Sequence, residues 1–284
     1  MSKILINFGV YFLTGKIVRM RRQVERSFRN TVNLINNSIP VLFTCPHGGR
    51  VEFLPIRDDD SNVTCGTGEF KTKSDNNTIE VTEGIALNIF RLSTRHVYKT
   101  IAIADRSFVD FNREPNCAYA SNDVFAKHLY DEYHNEISNT IGEIHGHNNQ
   151  GLSFLFDFHG TNNTEAELFF GTDARINPNN STICGLLKRN PNALWDEDTG
   201  LLKLLQKKGY STIPRDINDS EHSSFDGGLT VKKYGGCNEN QRVEAIQCEI
   251  TADLRDKSRR LQFTVDMAEC ILKFVTPYIS NTNS

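Results

Sequence analysis

The chain has 284 residues, with 32 Lys and Arg against 35 Asp and Glu, and a formal net charge of -3. That balance excludes a protein held to nucleic-acid phosphates by overall charge, because such binding draws on an excess of Lys and Arg. A hydrophobic share of 38% excludes a disordered chain and supplies the core of one large domain.

The N-terminus opens with an apolar run from Ile4 to Leu13, and Lys16, Arg19, Arg21 and Arg22 follow at once. The run has the length of a signal-peptide core, and the basic residues also suit a targeting presequence. No small-residue cleavage site stands out, so the segment reads as a helical extension over residues 1–38 ahead of a single domain over 39–284. Residues 40–45 then read as a buried strand, broken by Pro46-His47-Gly48-Gly49. The polar stretch 57–78 has no sustained period and reads as a long loop or a small hairpin. Residues 81–92 suit a helix and 96–104 a strand. A clear helix covers 122–141, where Phe125, Leu129, Tyr133 and Ile137 recur every fourth residue and Asn122 or Asp123 stands ready to cap. The continuous apolar run 152–158 reads as a central strand ending in Asp157-Phe158-His159-Gly160. Further strands are expected at 168–170, 211–213 and 243–250, with helices at 201–208 and 261–275. His145-Gly146-His147 falls in an Asn- and Gly-rich stretch and reads as a loop. Alternating strands and helices give an α/β class. Apolar strands without alternation call for a sheet covered on both faces, and the fold expected is a single-domain mixed sheet with helices on both faces.

The seven cysteines, Cys45, Cys65, Cys117, Cys184, Cys237, Cys248 and Cys270, form no C-x-x-C pair. Their odd number and scatter suit a reduced, cytoplasmic chain, with organelle targeting or secretion through the N-terminal segment as the alternative. No later segment has the ~20 apolar residues that a membrane span requires.

Ligands of α/β sheets gather at the carboxyl ends of strands, and polar residues cluster there in this chain. His47 and Glu52 flank a glycine turn on which an imidazole and a carboxylate can converge; the plain alternative is an incidental histidine at a turn. His159 and Asp157 share one side of their strand, so Asp157 is placed to accept the second imidazole N–H. Two His and one Glu make a metal set with an open position for water. Glu249, near the end of a strand, is costly there unless paired or functional; it is the candidate general base. Arg106 and Arg113 suit a carboxylate fork, with Asp110 and Asn112 to orient them, and Gly227-Gly228 allows close approach of a loop to substrate.

These segments bring a known family into view. Cys45-Pro46-His47-Gly48-Gly49, Asp105-Arg106 to Asn112-Arg113, Asp157-Phe158-His159-Gly160, Phe225-Asp226-Gly227-Gly228-Leu229-Thr230 with Tyr234-Gly235, and Ala245 to Ile250 occur in the order seen in the N-formylglutamate amidohydrolase family, which the sequence resembles. The resemblance spans residues 40–252. It implies a zinc-carboxypeptidase-like (phosphorylase/hydrolase-like) fold and a zinc-dependent hydrolase acting on C–N bonds. The substrate it implies is a small acidic N-acyl amino acid such as N-formylglutamate. It implies His47 and His159 as Zn2+ ligands, Glu249 as base, and Arg113 with Arg106 as carboxylate binders. His-Gly-Gly-x-x-Glu is also similar to phage poly-γ-glutamate hydrolases, which points to Glu52 as third ligand, with Asp75 as the substitute. Classical carboxypeptidases place their Glu three residues after the His, where this chain has Arg50. The chain also departs from family members after Glu249, which leaves a γ-glutamyl or peptide hydrolase open. A metal-free binding protein and a Cys45 or Cys248 nucleophile stand as alternatives of other kinds.

Overall fold

A computed structural model describes residues 37–54, 56–57, 71–147, 151–173, 181–236 and 243–279. The chain divides into two units, Met1–Ser38 and Ile39–Ser284. The helix expected at the N-terminus lies outside the described residues.

The second unit is built on a six-stranded sheet of order β2-β1-β3-β6-β4-β5. Its strands are β1 (Ser38–Cys45), β2 (His96–Ile101), β3 (Ser153–Thr161), β4 (Leu168–Gly171), β5 (Thr212–Ile213) and β6 (Val243–Thr251). β1 runs parallel to β3 and β3 parallel to β6, whereas β4 is antiparallel to β6. The sheet is therefore mixed, as expected, and both of its faces are covered, as the apolar runs suggested. Phe154, Phe156 and Phe158 of β3 are fully buried on one face. They pack with Val81, Ile85 and Ile89 of α1 (Thr78–Ser93) and with Phe263, Met267 and Phe274 of α8 (Lys257–Val275). On the other face Leu155 meets Tyr130, Tyr133, Ile137 and Ile141 of α3 (Val124–His147). Burying each such side chain contributes about 1.5–3 kcal/mol, so both faces must be covered.

Helix ends follow local chemistry. Asp123 caps α3 by accepting from the amides of Phe125 and Ala126, each at 2.9 Å. Asp256 accepts from the Ser258 amide, so α8 begins four residues before its first expected position. His145 and His147 lie in the last turn of α3 rather than in a loop. Four short helices had no periodicity long enough to announce them: α2 (Pro115–Ala118), α4 (Cys184–Arg189), α6 (Leu229–Tyr234) and α7 (Ala252–Arg255). The helix expected at 201–208 is α5 (Leu201–Lys207).

The cysteines depart from the expected all-thiol state. Cys117 and Cys184 are disulfide-bonded, while Cys45, Cys248 and Cys270 are buried thiols. Spacing alone does not say which cysteines meet in space, and an odd total leaves room for both states. No helix among the described residues is long and apolar enough to cross a membrane.

One buried carboxylate of β6 lies on the face shared with Phe154 and Ile246. Glu244 accepts from the Leu186 amide at 2.9 Å, at the start of α4, where Gly185 leaves room for it. Burial pushes its pKa up to about 7, against hydrogen bonds from Leu186 and Gly185 and the charge of Arg189.

Two outcomes follow. Glu244 binds its proton more tightly folded than unfolded, so stability falls as pH rises from about 4.5 to about 7 and then levels. Glu244→Gln is expected to be more stable than the parent at pH 8, by on the order of 1–3 kcal/mol, with the difference closing by pH 5 in denaturant titrations. Alkylation of denatured, unreduced protein should label Cys45, Cys248 and Cys270 and spare Cys117 and Cys184 in peptide mass spectra.

Candidate metal centre

At the carboxyl ends of three adjacent strands the apolar pattern breaks on one face only. Leu42 gives way to Thr44 on β1, Leu155 to Asp157 and His159 on β3, and Ala245 to Gln247 and Glu249 on β6. The opposite face stays apolar through Phe43, Phe158, Cys248 and Ile250. In register, Thr44 faces Asp157, Asp157 faces Gln247, and His159 faces Glu249. Residues directly opposite on neighbouring strands share a face, so the polar side chains form one patch.

His47 joins that patch from the turn after β1. Gly49 lets the turn lie against the backbone of Ile103 and Ala104, where an added Cβ would come within 2.2 Å of the Ala104 carbonyl oxygen. The Nδ1 atoms of His47 and His159 stand 3.1 Å apart. Asp75 Oδ2 lies 3.4 Å from the first and 3.7 Å from the second. These three donors all fall within 4.8 Å of one another. Asp75 is held there by its amide on the His47 carbonyl at 2.9 Å and by the Gly160 amide on its Oδ2 at 3.0 Å.

Each imidazole is turned by a buried carboxylate behind it. His47 Nε2 donates to Asp110 Oδ1 at 2.6 Å, and His159 Nε2 donates to Asp157 Oδ2 at 2.7 Å. A carboxylate only accepts, so Nε2 of each ring carries a proton and Nδ1 is the nitrogen that faces inward. Asp157 is fixed in turn by the Thr44 hydroxyl at 2.6 Å, and Asp110 by Arg106 Nε at 2.8 Å. This is the arrangement that orients metal-binding histidines and raises their basicity. Two inward nitrogens and one carboxylate suit zinc and leave a fourth position for water or substrate.

The electrostatics fit a cation. Burial opposes ionisation of Asp75, but His159 and His47 outweigh it and hold the carboxyl far below its usual range. Burial likewise opposes Asp110, which His47 and Arg106 keep ionised. Burial disfavours a charged His159, yet Asp157 and Asp75 raise its pKa well above the ordinary value. Burial pushes Glu249 up, with His159 acting against it. Its Oε1 accepts from Gln247 Nε2 at 2.9 Å, and Gln247 Oε1 accepts from the Gly228 amide.

Glu52 lies elsewhere. Val51 is bridged to Ala104, its amide reaching the Ile103 carbonyl at 3.0 Å, and this extended pairing turns Glu52 out to solvent. Asp75, the substitute, stands with the two histidines instead. Arg106 is buried against Asp110, with Asp75 3.7 Å from its Nη1. Arg113 is buried, donates from Nη1 to the Asn112 carbonyl at 2.9 Å, and feels the charges of Asp110 and Glu249. Asn112 accepts from the Thr230 amide at 2.8 Å and lies against Gly228, where a Cβ would come within 2.1 Å of its Nδ2. Gly227 has φ 127°, open to glycine. Cys45 and Cys248 are fully buried, and burial raises the first thiol to about 12 and the second well above its usual value. Neither supplies a thiolate at neutral pH.

Sequence reasoning missed two arginines. Arg57 donates to the carbonyls of Arg106 at 2.9 Å, Cys117 at 2.6 Å and Lys71 at 2.5 Å, tying down the loop that carries Arg106 and Asp110. Arg255 makes a similar set of contacts beside His159 and Glu249. Lone arginines carry no motif; position after a buried strand is the one hint available for Arg255.

No known family model matches the sequence, and no curated protein does. The fold is similar to the crystal structure of N-formylglutamate amidohydrolase from Ralstonia eutropha JMP134, with a TM-score of 0.51 at 13% identity over 85% of this chain and 95% of that one. The likeness is one of fold.

With zinc added as the probe, Asp75→Asn is expected to weaken its binding by roughly 100-fold or more in chelator competition, because it removes a charged donor from the cluster. Glu52→Gln should leave the affinity of the parent unchanged. Equal losses in both would place the third donor wrongly.

Proposed function

We propose that this chain is a zinc-dependent amidohydrolase that cleaves the amide bond of a small, acidic N-acyl amino acid, of which N-formylglutamate is the type. One observation carries the reading. His47, Asp75 and His159 converge on a point beside a buried carboxylate, Glu249, that faces His159 across two paired strands. The fold shared with an N-formylglutamate amidohydrolase supports it.

His47, Asp75 and His159 would hold the zinc. When bound there, zinc polarises the scissile carbonyl and acidifies water toward a pKa of about 7. Glu249 takes the water proton and returns it to the leaving nitrogen. Burial raises its proton affinity from the ordinary carboxylate value, in the direction that a base working near neutrality needs. Gln247 holds one of its oxygens, which orients the other. Arg113, with Arg106 behind it, draws the substrate carboxylate and positions the amide. Asn112 holds the helix that follows the Gly227-Gly228 turn through the Thr230 amide, and Gln247 joins that turn to Glu249.

Protein purified without chelator should contain about one zinc per chain. It should release the acid from N-formylglutamate faster than from neutral N-acyl amino acids. γ-Glutamyl and α-linked peptides form the competing arms of that panel. Glu249→Gln should keep the zinc and lose turnover by roughly 100- to 10,000-fold. A folded, zinc-free protein with no hydrolysis of any arm would remove the proposal, and a fully active Glu249→Gln would remove the assigned base.

A further inference from the structure

The three groups proposed for chemistry come from three separate stretches of chain. Asp75 lies in the loop before α1, His159 near the end of β3, and Glu249 near the end of β6. One side chain touches all three stretches. Arg255, in α7, is buried at 5% exposure. Its Nε donates to the Ile250 carbonyl at 3.0 Å, one residue after Glu249. Its Nη2 donates to the Thr161 carbonyl at 3.2 Å, two residues after His159. Its Nη1 donates to the Asn76 carbonyl, the residue after Asp75. The guanidinium lies over Gly160, where an added Cβ would sit 2.5 Å from Cζ. Gly160 itself donates its amide to Asp75 at 3.0 Å.

We infer that Arg255 is a positioning residue that sets the spacing of Asp75, His159 and Glu249. The planar fork is suited to the task. Its donors point in fixed, different directions, so the three carbonyls must take up one mutual arrangement. The carbonyls belong to backbone next to the functional residues, so a shift of the fork moves the side chains with it. The charge contributes as well: Asp75 and Glu249 both stabilise the buried guanidinium, which holds it on their side. Gly160 is the matching device, since any side chain there would drive the fork away. This inference rests on the metal-site reading for its meaning in catalysis, while the coupling of the three stretches stands on geometry alone.

The test compares full-length Arg255→Met, Arg255→Lys and Gly160→Ala with the parent. Metal-free protein is examined by amide hydrogen exchange, and zinc affinity by chelator competition. Arg255→Met should speed exchange at least ~10-fold in residues 71–78 and 160–163 while α3 keeps its protection. Zinc affinity should fall by roughly 10- to 100-fold, as for other residues that support metal ligands. Lysine should not rescue either readout, because its three N–H groups leave a single atom and cannot span the three carbonyls. Gly160→Ala keeps the arginine but displaces it, and should move both readouts the same way; it carries the test if Arg255→Met does not fold. Unchanged exchange, or acceleration spread evenly over the domain, would overturn the inference and leave Arg255 a packing residue. If the parent takes up no zinc, the metal reading fails and the exchange pattern alone decides the role of Arg255.

Discussion

The parallel pairing of β3 with β6 is the constraint on which the rest of the site depends. It sets Asp157 against Gln247 and His159 against Glu249. Because strand side chains alternate, a slip of β3 by one residue would send Asp157 and His159 to the opposite, apolar face, away from Gln247 and Glu249. That slip is blocked by Phe154, Phe156 and Phe158, which would then have to occupy the face where the polar groups meet. The aromatic side of β3 thus holds the polar side in place. A packed core and a polar site are two faces of one register.

Carboxylates and histidines this deeply buried cost several kcal/mol each unless paired. The chain meets that cost with layered contacts. Asp110 and Asp157 each hold one imidazole, Arg106 and Thr44 hold the carboxylates, and Arg57 holds the loop that bears Arg106. Arg255 holds the backbone around the remaining donors. Positive groups around Asp75 and Asp110 keep them ionised, so the cluster keeps an anionic centre ready for a cation. Glu249 stands at the edge of that field, where burial outweighs the cationic neighbours and raises its proton affinity.

Much of this was legible in the linear chain. Apolar runs marked β1, β3 and β6, and the abrupt polarity after each marked His47, His159 and Glu249. Strand alternation alone paired Asp157 with His159. Asp75 was harder to read, because it lies in a polar stretch with no period. Its place is decided by a backbone hydrogen bond to the His47 carbonyl and by the start of α1. Glu52 sits nearer to His47 in sequence, yet the bridge between Val51 and Ala104 turns it outward. Asp110 carries a second surprise: it serves the His47 ring as well as Arg106. The disulfide-bonded state of Cys117 and Cys184 left no trace in spacing.

The sequence by itself determined the α/β class, the buried strands and the strand ends where chemistry would gather, because hydrophobic periodicity and its interruption are local properties. Tertiary structure alone decided which carboxylate joins the two histidines, which nitrogen of each histidine faces inward, and which arginines brace the loops. Those choices depend on contacts between residues as far apart as 179 positions, such as Arg255 with Asn76, and no local pattern records a hydrogen bond across that distance.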